Sequence, residues 1–449
     1  MISLVPPPDP RHEAAAALRL HGWLDRPLLG VALLIAANGF AQFSPTAALA
    51  DVAEHFGDPG TGESVAEQAG LPGTVLGGGL AAIRIASLAA LPLALAADRW
   101  GRRRSVLAWV TGGLVLTVAA AGSPGFWWFV AAFALARPLL TASNTVGEVL
   151  AAEHTDKANR AKALALLAGA FGLGSGLVAL LRAALGGPGF RVVVGLAVIP
   201  LAAVLLAQRW VTETSRFARL HPDDGRQGDD PPGPTGATEL PTIPTLGALP
   251  RERRRHLVVL AALAFTTGLI TAPANTLLFV YAENVLGTSS AFTAGLIVAV
   301  APIGLVGLVV GRYFADRVGR RPTGAVALVA LAAAGILAYS GSVAALAVGY
   351  LLGLGFGAAY GTPAFALSAE LFPTSVRATV AGWLAVAGVV GATTGLLVVG
   401  IMADVFDGFA AALAIVGVPA ALSAGLVLFL PETRGLELEE SAPEPGGGA

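Results

Sequence analysis

The 449-residue sequence predicts an all-α membrane protein of twelve transmembrane helices, arranged as two pseudo-symmetric six-helix bundles. Three observations predict it. Hydrophobic residues make up 55% of the chain and charged residues 13%, with a mean hydropathy of +0.72. That leaves too little polar surface for a soluble globule of this size, so the solvent is largely lipid. Twelve apolar stretches each approach or exceed the roughly 20 residues that cross a bilayer. Finally, ADRWGRRRS at Ala97 to Ser105 returns as ADRVGRRPT at Ala315 to Thr323, each copy closing one apolar run and opening the next.

The spans follow in order. The first half places them at 27–50, 72–97, 105–122, 126–152, 161–185 and 190–210, and the second at 256–283, 291–315, 323–340, 343–369, 378–402 and 407–430. Residues 27–210 and 256–435 therefore form the two bundles. Residues 1–26 and 436–449 are tails, and 211–255 is a linker whose stretch from His221 to Pro250 is rich in Pro, Gly and Asp without apolar periodicity. The chain start, with Pro6, Pro7, Pro8 and Asp9, lacks the basic-then-apolar order of a cleaved signal.

The duplication reaches beyond the charged turn. Glu153 with Arg160 answers Glu370 with Arg377, and TETSR from Thr212 answers PETRG from Pro431, all at offsets of 217 to 219 residues. Such a repeat makes the chain two tandem copies of one membrane unit. About 24 of its 28 Lys and Arg lie in the tails and in loops after even-numbered spans, which puts those loops and both termini in the cytoplasm. The loop from Asp51 to Leu71 carries Asp51, Glu54, Asp58, Glu63 and Glu67 without a basic residue, and is expected outside.

Several functions are disfavoured. The net charge of -1 gives no basic field for nucleic acid, and the chain has no cysteine for thiolate chemistry. His12, His21, His55, His154, His221 and His256 lack ligand spacing, so neither a metal nor a cofactor is expected. Neither lysine follows a glycine-rich loop, which argues against ATP hydrolysis, and no nucleophile elbow or zinc signature marks an enzyme. Glycines at 353, 357 and 361, at 172 and 176, and at 391 and 395 recur every four residues, a spacing for close helix packing in lipid.

These repeats and charged turns resemble the major facilitator superfamily of secondary transporters, over nearly the whole chain. In that family the turn and the acids and arginines that follow the fourth and tenth helices form salt bridges holding the cytoplasmic side shut. The matching positions are Asp98, Arg99, Gly101, Arg102, Asp316, Arg317, Gly319 and Arg320, completed by Glu153, Arg160, Glu370, Arg377, Glu213 and Glu432. The family's turn begins with a Gly four residues before the Asp; here Ala94 and Arg312 stand there, with Gly311 one place early. ELFPTSVRA at Glu370 to Ala378 and PETRG look like the sugar and organic-solute:proton symporter branch. The seventh span lacks that branch's paired glutamines, and the tenth its Trp after Pro, so a sugar is not the expected cargo.

The resemblance implies a central cavity lined by the first, fourth, seventh and tenth spans. On the fourth, Arg137, Thr141, Asn144 and Glu148 share one stripe. Asn38 and Gln42 on the first span, Thr267, Thr271 and Asn275 on the seventh, Tyr360 on the tenth and Trp383 on the eleventh add polar and aromatic contacts. A guanidinium at Arg137 demands an anion, from substrate or protein. Arg84 on the second span serves equally as outer gate or binding residue. The first span has no mid-membrane acid, unlike many proton-coupled relatives, which leaves Glu148 as the proton carrier or a gate carboxylate; Glu283 is expected to be solvated. The expectation is a monomeric carrier in a plasma membrane of bacterial type, with a small-molecule substrate, protons and lipid as partners. A multidrug exporter is the alternative, although the fifth span lacks the exporters' proline-containing signature. A non-transporting sensor on the same fold is the second alternative.

Overall fold

The computed structural model describes residues 24–57, 68–155, 159–212 and 250–434. Among them run α1 (Arg26–Ala47), α2 (Gly73–Ala97), α3 (Arg102–Ala120), α4 (Phe126–His154), α5 (Arg160–Ala184), α6 (Phe190–Leu205), α7 (Arg251–Thr276), α8 (Ser290–Arg317), α9 (Arg320–Ala338), α10 (Val343–Glu370), α11 (Thr374–Val405) and α12 (Phe409–Val427). Ten are long and apolar enough to cross a membrane. The other two are α3, which opens on three arginines, and α6, which is shorter and is interrupted between Gly195 and Val198. A short helix, Leu49–Phe56, follows α1 where the sequence suggested only a loop, and α7 begins at Arg251, inside the expected linker.

The repeat read from the sequence is visible in the packing. In the first half α1 packs on α5 and α3 on α4; in the second, α7 packs on α11 and α9 on α10. The halves meet along α2 with α11 and along α5 with α8, again equivalent pairs. Lipid-like packing needs close backbones because apolar side chains gain nothing by leaving lipid tails for one another. A Cβ on Gly174 would lie 1.9 Å from the Ala36 carbonyl oxygen, one on Gly391 2.0 Å from that of Phe265, and one on Gly77 2.4 Å from that of Leu396.

Part of the glycine spacing misleads. Gly172 and Gly176 face open space, and the contact falls on Gly174, two residues along and so on nearly the opposite helix face. Gly353, Gly357 and Gly361 make only ordinary contacts of 3.6–3.8 Å, while Gly349 takes the close approach to α9. Gly311, one place early against the family pattern, still packs α8 tightly, since a Cβ there would lie 2.5 Å from the Ala359 carbonyl.

Two spans are broken beside the site described next. In α2 a 3-10 turn, Ser87–Ala89, comes just before Pro92, which has no N–H to give the Leu88 carbonyl. The Ser87 hydroxyl donates to the Arg84 carbonyl at 2.6 Å. α7 contains Pro273, stops at Thr276 and is followed by a π-helical turn, Val280–Val285.

Candidate functional site

The face carrying the two arginine-rich turns is the basic face. Each turn reverses at a glycine of positive φ, 92° at Gly101 and 130° at Gly319, which L side chains rarely adopt. At Gly319 space is also short, because a Cβ would lie 2.7 Å from Glu432 Oε2. The arginines after each glycine do equivalent work in both halves. Arg102 pairs with Glu153, and Arg320 with Glu370 at 2.5 Å. Arg103 donates to the Gln208 and Val211 carbonyls beyond α6, and Arg321 to the Leu428 carbonyl beyond α12.

Glu432 caps α9, accepting from the backbone N–H of Arg320 at 2.9 Å and of Arg321 at 3.1 Å. Burial pushes its pKa up, but backbone N–H donors from Arg320, Arg321, Arg434 and Thr433 outweigh that and hold the carboxyl below its ordinary value. Arg160 and Arg377 bond backbone carbonyls of their own half, those of Ala152 and Phe372. Of the residues expected in the latch, Arg102 with Glu153 and Arg320 with Glu370 are paired. Asp316 is exposed and stands 3.6 Å from the still more exposed Arg312, and Arg317 lies over the Tyr313 ring. Arg99 is exposed as well. Glu213 and the side chain of Asp98 lie outside the described residues.

Between the halves lies a cavity of about 270 Å³, lined from α1, α2, α4, α5, α7 and α11. Its polar walls are Gln42, Thr46, Arg84, Arg137, Ser175, Thr271, Asn275 and Thr276, with Phe43 and Phe171 among the apolar ones. Arg137 reaches the Gln42 carbonyl at 3.5 Å, and the Nε atoms of Arg84 and Arg137 are buried without a hydrogen-bond partner. Asn275 donates to the Thr271 carbonyl at 2.7 Å, which leaves its amide oxygen available.

The structure brings Gln42, Arg137, Thr271 and Asn275 to one cavity, and Arg84, left open between outer gate and binding residue, lines the same cavity. The other expected contacts stand elsewhere. Asn38 is fully buried, donating to the Leu140 carbonyl at 2.7 Å and to Ser143 at 3.0 Å, so it ties α1 to α4. Asn144 donates to Glu148 at 2.9 Å, one turn along the same helix. Thr141 is half-buried but is not among the cavity residues. Tyr360 packs in a second apolar cluster with Leu257 and Leu371, nearer the basic face, and Trp383 is 45% exposed. A shared helical stripe does not ensure a shared cavity when the helix passes from one wall to the next.

The face opposite the arginine-rich turns, the far face, is where the halves are tied. Arg182, at the end of α5, is 2.8 Å from both carboxylate oxygens of Asp51 and 2.7 Å from both of Glu283. All three side chains are at least 89% buried, and Phe279 lies under the guanidinium. Glu283 is therefore not solvated: it is one of two carboxylates around a single guanidinium held by the other bundle. Asn284 bonds the Ala50 and Ala69 carbonyls, and Asp404 on α11 caps α2 by accepting from Gly73 and Thr74. Sequence reasoning missed Arg182. The signal was its place among the few basic residues outside the basic loops, at the level of an acidic loop.

Two bundles with a polar cavity between them are an architecture that secondary carriers use. A family model for the Major Facilitator Superfamily matches residues 29–362 and again 303–447, and the chain belongs to that family, whose members are secondary transporters. A search of curated proteins finds no match. Among solved structures, the inward-open conformation of the xylose transporter XylE from E. coli aligns at a TM-score of 0.69 and 17% identity, covering 92% of this chain and 98% of that one. A D-xylose-proton symporter aligns at 0.67 and 18%, covering 91% and 99%. A bacterial homolog of the human lysosomal transporter Spinster, inward-facing and unoccupied, aligns at 0.58 and 14%, covering 90% and 94%.

Proposed function

We propose that this chain carries a small organic solute across a plasma membrane of bacterial type by alternating access, with proton coupling, as a monomer. The observation that carries the reading is the inter-bundle cavity sealed on one side by charges shared between the halves. The basic face is the cytoplasmic one, by the excess of Arg and Lys there, so the described state is closed toward the outside. Reversal requires Arg182 to release the carboxylate of one bundle while the basic-face charges, Asp98 and Asp316 included, form bonds across the other end. Substrate contacts come from Gln42, Arg137, Thr271 and Asn275.

Proton coupling falls to Glu148. It lies about three turns from Arg137 toward the basic face, is exposed, and accepts a hydrogen bond from Asn144 at 2.9 Å. Glu148→Gln fixes the neutral form, so exchange of solute, which needs only the loaded carrier to rock, is expected to persist. Accumulation against a gradient, which needs proton release inside, is expected to fall to background. Liposomes with an internal pH dye read both. A Glu148→Gln carrier that still concentrates solute with proton influx removes this residue from the mechanism.

A further inference from the structure

The charge on the cavity wall narrows the cargo. Arg84 from α2 and Arg137 from α4 line one cavity, and neither forms an ion pair among the described residues. No carboxylate among the described residues lines this cavity, and on the far face beyond it Asp51 and Glu283 hold Arg182 while Asp404 caps α2. Glu148 is about three turns away and bound to Asn144. The remaining polar lining, Gln42, Thr46, Ser175, Thr271, Asn275 and Thr276, is neutral.

Two guanidiniums on one cavity wall, each with a buried and unpartnered Nε, are costly unless an anion compensates them, and a hydroxylated neutral solute leaves both charges unmatched. A single negative charge leaves one unmatched. Arginine, with its planar fork of donors, suits carboxylate and phosphate oxygens better than lysine does. We propose that the cavity selects an organic dianion, a dicarboxylate or a phosphate monoester, held between Arg84 and Arg137. The inference rests on the cavity being the transport site proposed above.

The test is ligand-induced thermal stabilisation of purified protein at pH 8, followed by titration calorimetry, with succinate, glycerol 3-phosphate, acetate and glucose as probes. One or both dianions are expected to stabilise the parent more than acetate, and glucose not at all; succinate against the phosphate ester separates the two chemistries. Arg84→Gln and Arg137→Gln are each expected to raise the dianion Kd about 10- to 100-fold, and Arg137→Lys to lose less. No stabilisation by either dianion, or equal binding of glucose by parent and both variants, overturns the proposal. Liposome uptake separates the two readings. Dianion binding without uptake or exchange sinks transport but not the cargo class; neutral-solute uptake unaffected by either variant sinks the cargo class but not transport.

Discussion

The two faces of this protein use similar ion pairs to opposite ends. On the basic face Arg102–Glu153 and Arg320–Glu370 each stay within one bundle and fasten a turn to its neighbouring helix. On the far face Arg182 joins Asp51 of its own bundle to Glu283 of the other, beside the bonds from Asn284 and Asp404 that also cross between halves. Charges inside a bundle keep their partners as the bundles rock. Charges between bundles must part, so they set which state is populated. The far-face cluster also sits about 10 Å beyond the cavity, since Ser175 lines the cavity and Arg182 follows two turns later on α5. Closure and binding are therefore adjacent.

The largest expected effect comes from breaking the crossing charge. Arg182→Ala strands two buried carboxylates, and losing one partner of a buried pair costs about 3–5 kcal/mol, enough to displace a two-state equilibrium of a few kcal/mol. A cysteine placed at Thr46, in this cysteine-free chain, is expected to react slowly with an external impermeant maleimide in the parent and at least about tenfold faster with Arg182→Ala. Equal rates would mean that the triad does not hold the far face shut.

The basic face answers more gently. Glu432→Gln keeps the shape of the α9 cap and loses its charge, at a cost of about 1 kcal/mol of thermal stability near neutral pH. The pH dependence has a definite sign. Because folding holds this carboxyl below its ordinary value, its stabilisation is fully present above that ordinary pKa and is lost as pH falls through the lower folded pKa. Melting scans of parent and variant are therefore expected to differ at pH 7 and to converge in acid. A gap that widens in acid contradicts the cap. Transport by this variant is expected to change less than by Arg182→Ala, since Glu432 stays with its own bundle throughout.

The fold was legible because lipid imposes it. Span length, the duplicated turns and the segregation of basic residues each follow from solvent physics, and apart from α7, observed over Arg251–Thr276 against an expected 256–283, the helices lie within a few residues of the expected ones. The site was harder to read because helix pairing decides which face of a stripe meets the cavity. Asn38 and Thr141 sit on the right helices, yet one ties α1 to α4 and the other misses the cavity lining. The better guide lay in the exceptions to charge segregation. Four basic residues fall outside the basic loops, namely Arg84, Arg137, Arg182 and Arg191. Two line the cavity, one holds the halves together, and Arg191 donates to the Ala121 and Ser123 carbonyls. Glu283 misled for the matching reason: a carboxylate at a span end is solvated only if no opposing bundle brings it a cation.

The central claim is that the bundles rock about the cavity, opening one face as the other closes. Spin labels measure it directly in this cysteine-free chain, one pair at Glu54→Cys and Ala291→Cys on the far face, another at Ala161→Cys and Val318→Cys on the basic face. Electron–electron distance distributions are expected to show, on introducing Arg182→Ala, a longer far-face population and a shorter basic-face population growing together. Distances that stay fixed on both faces, or lengthen on both, contradict alternating access in this chain.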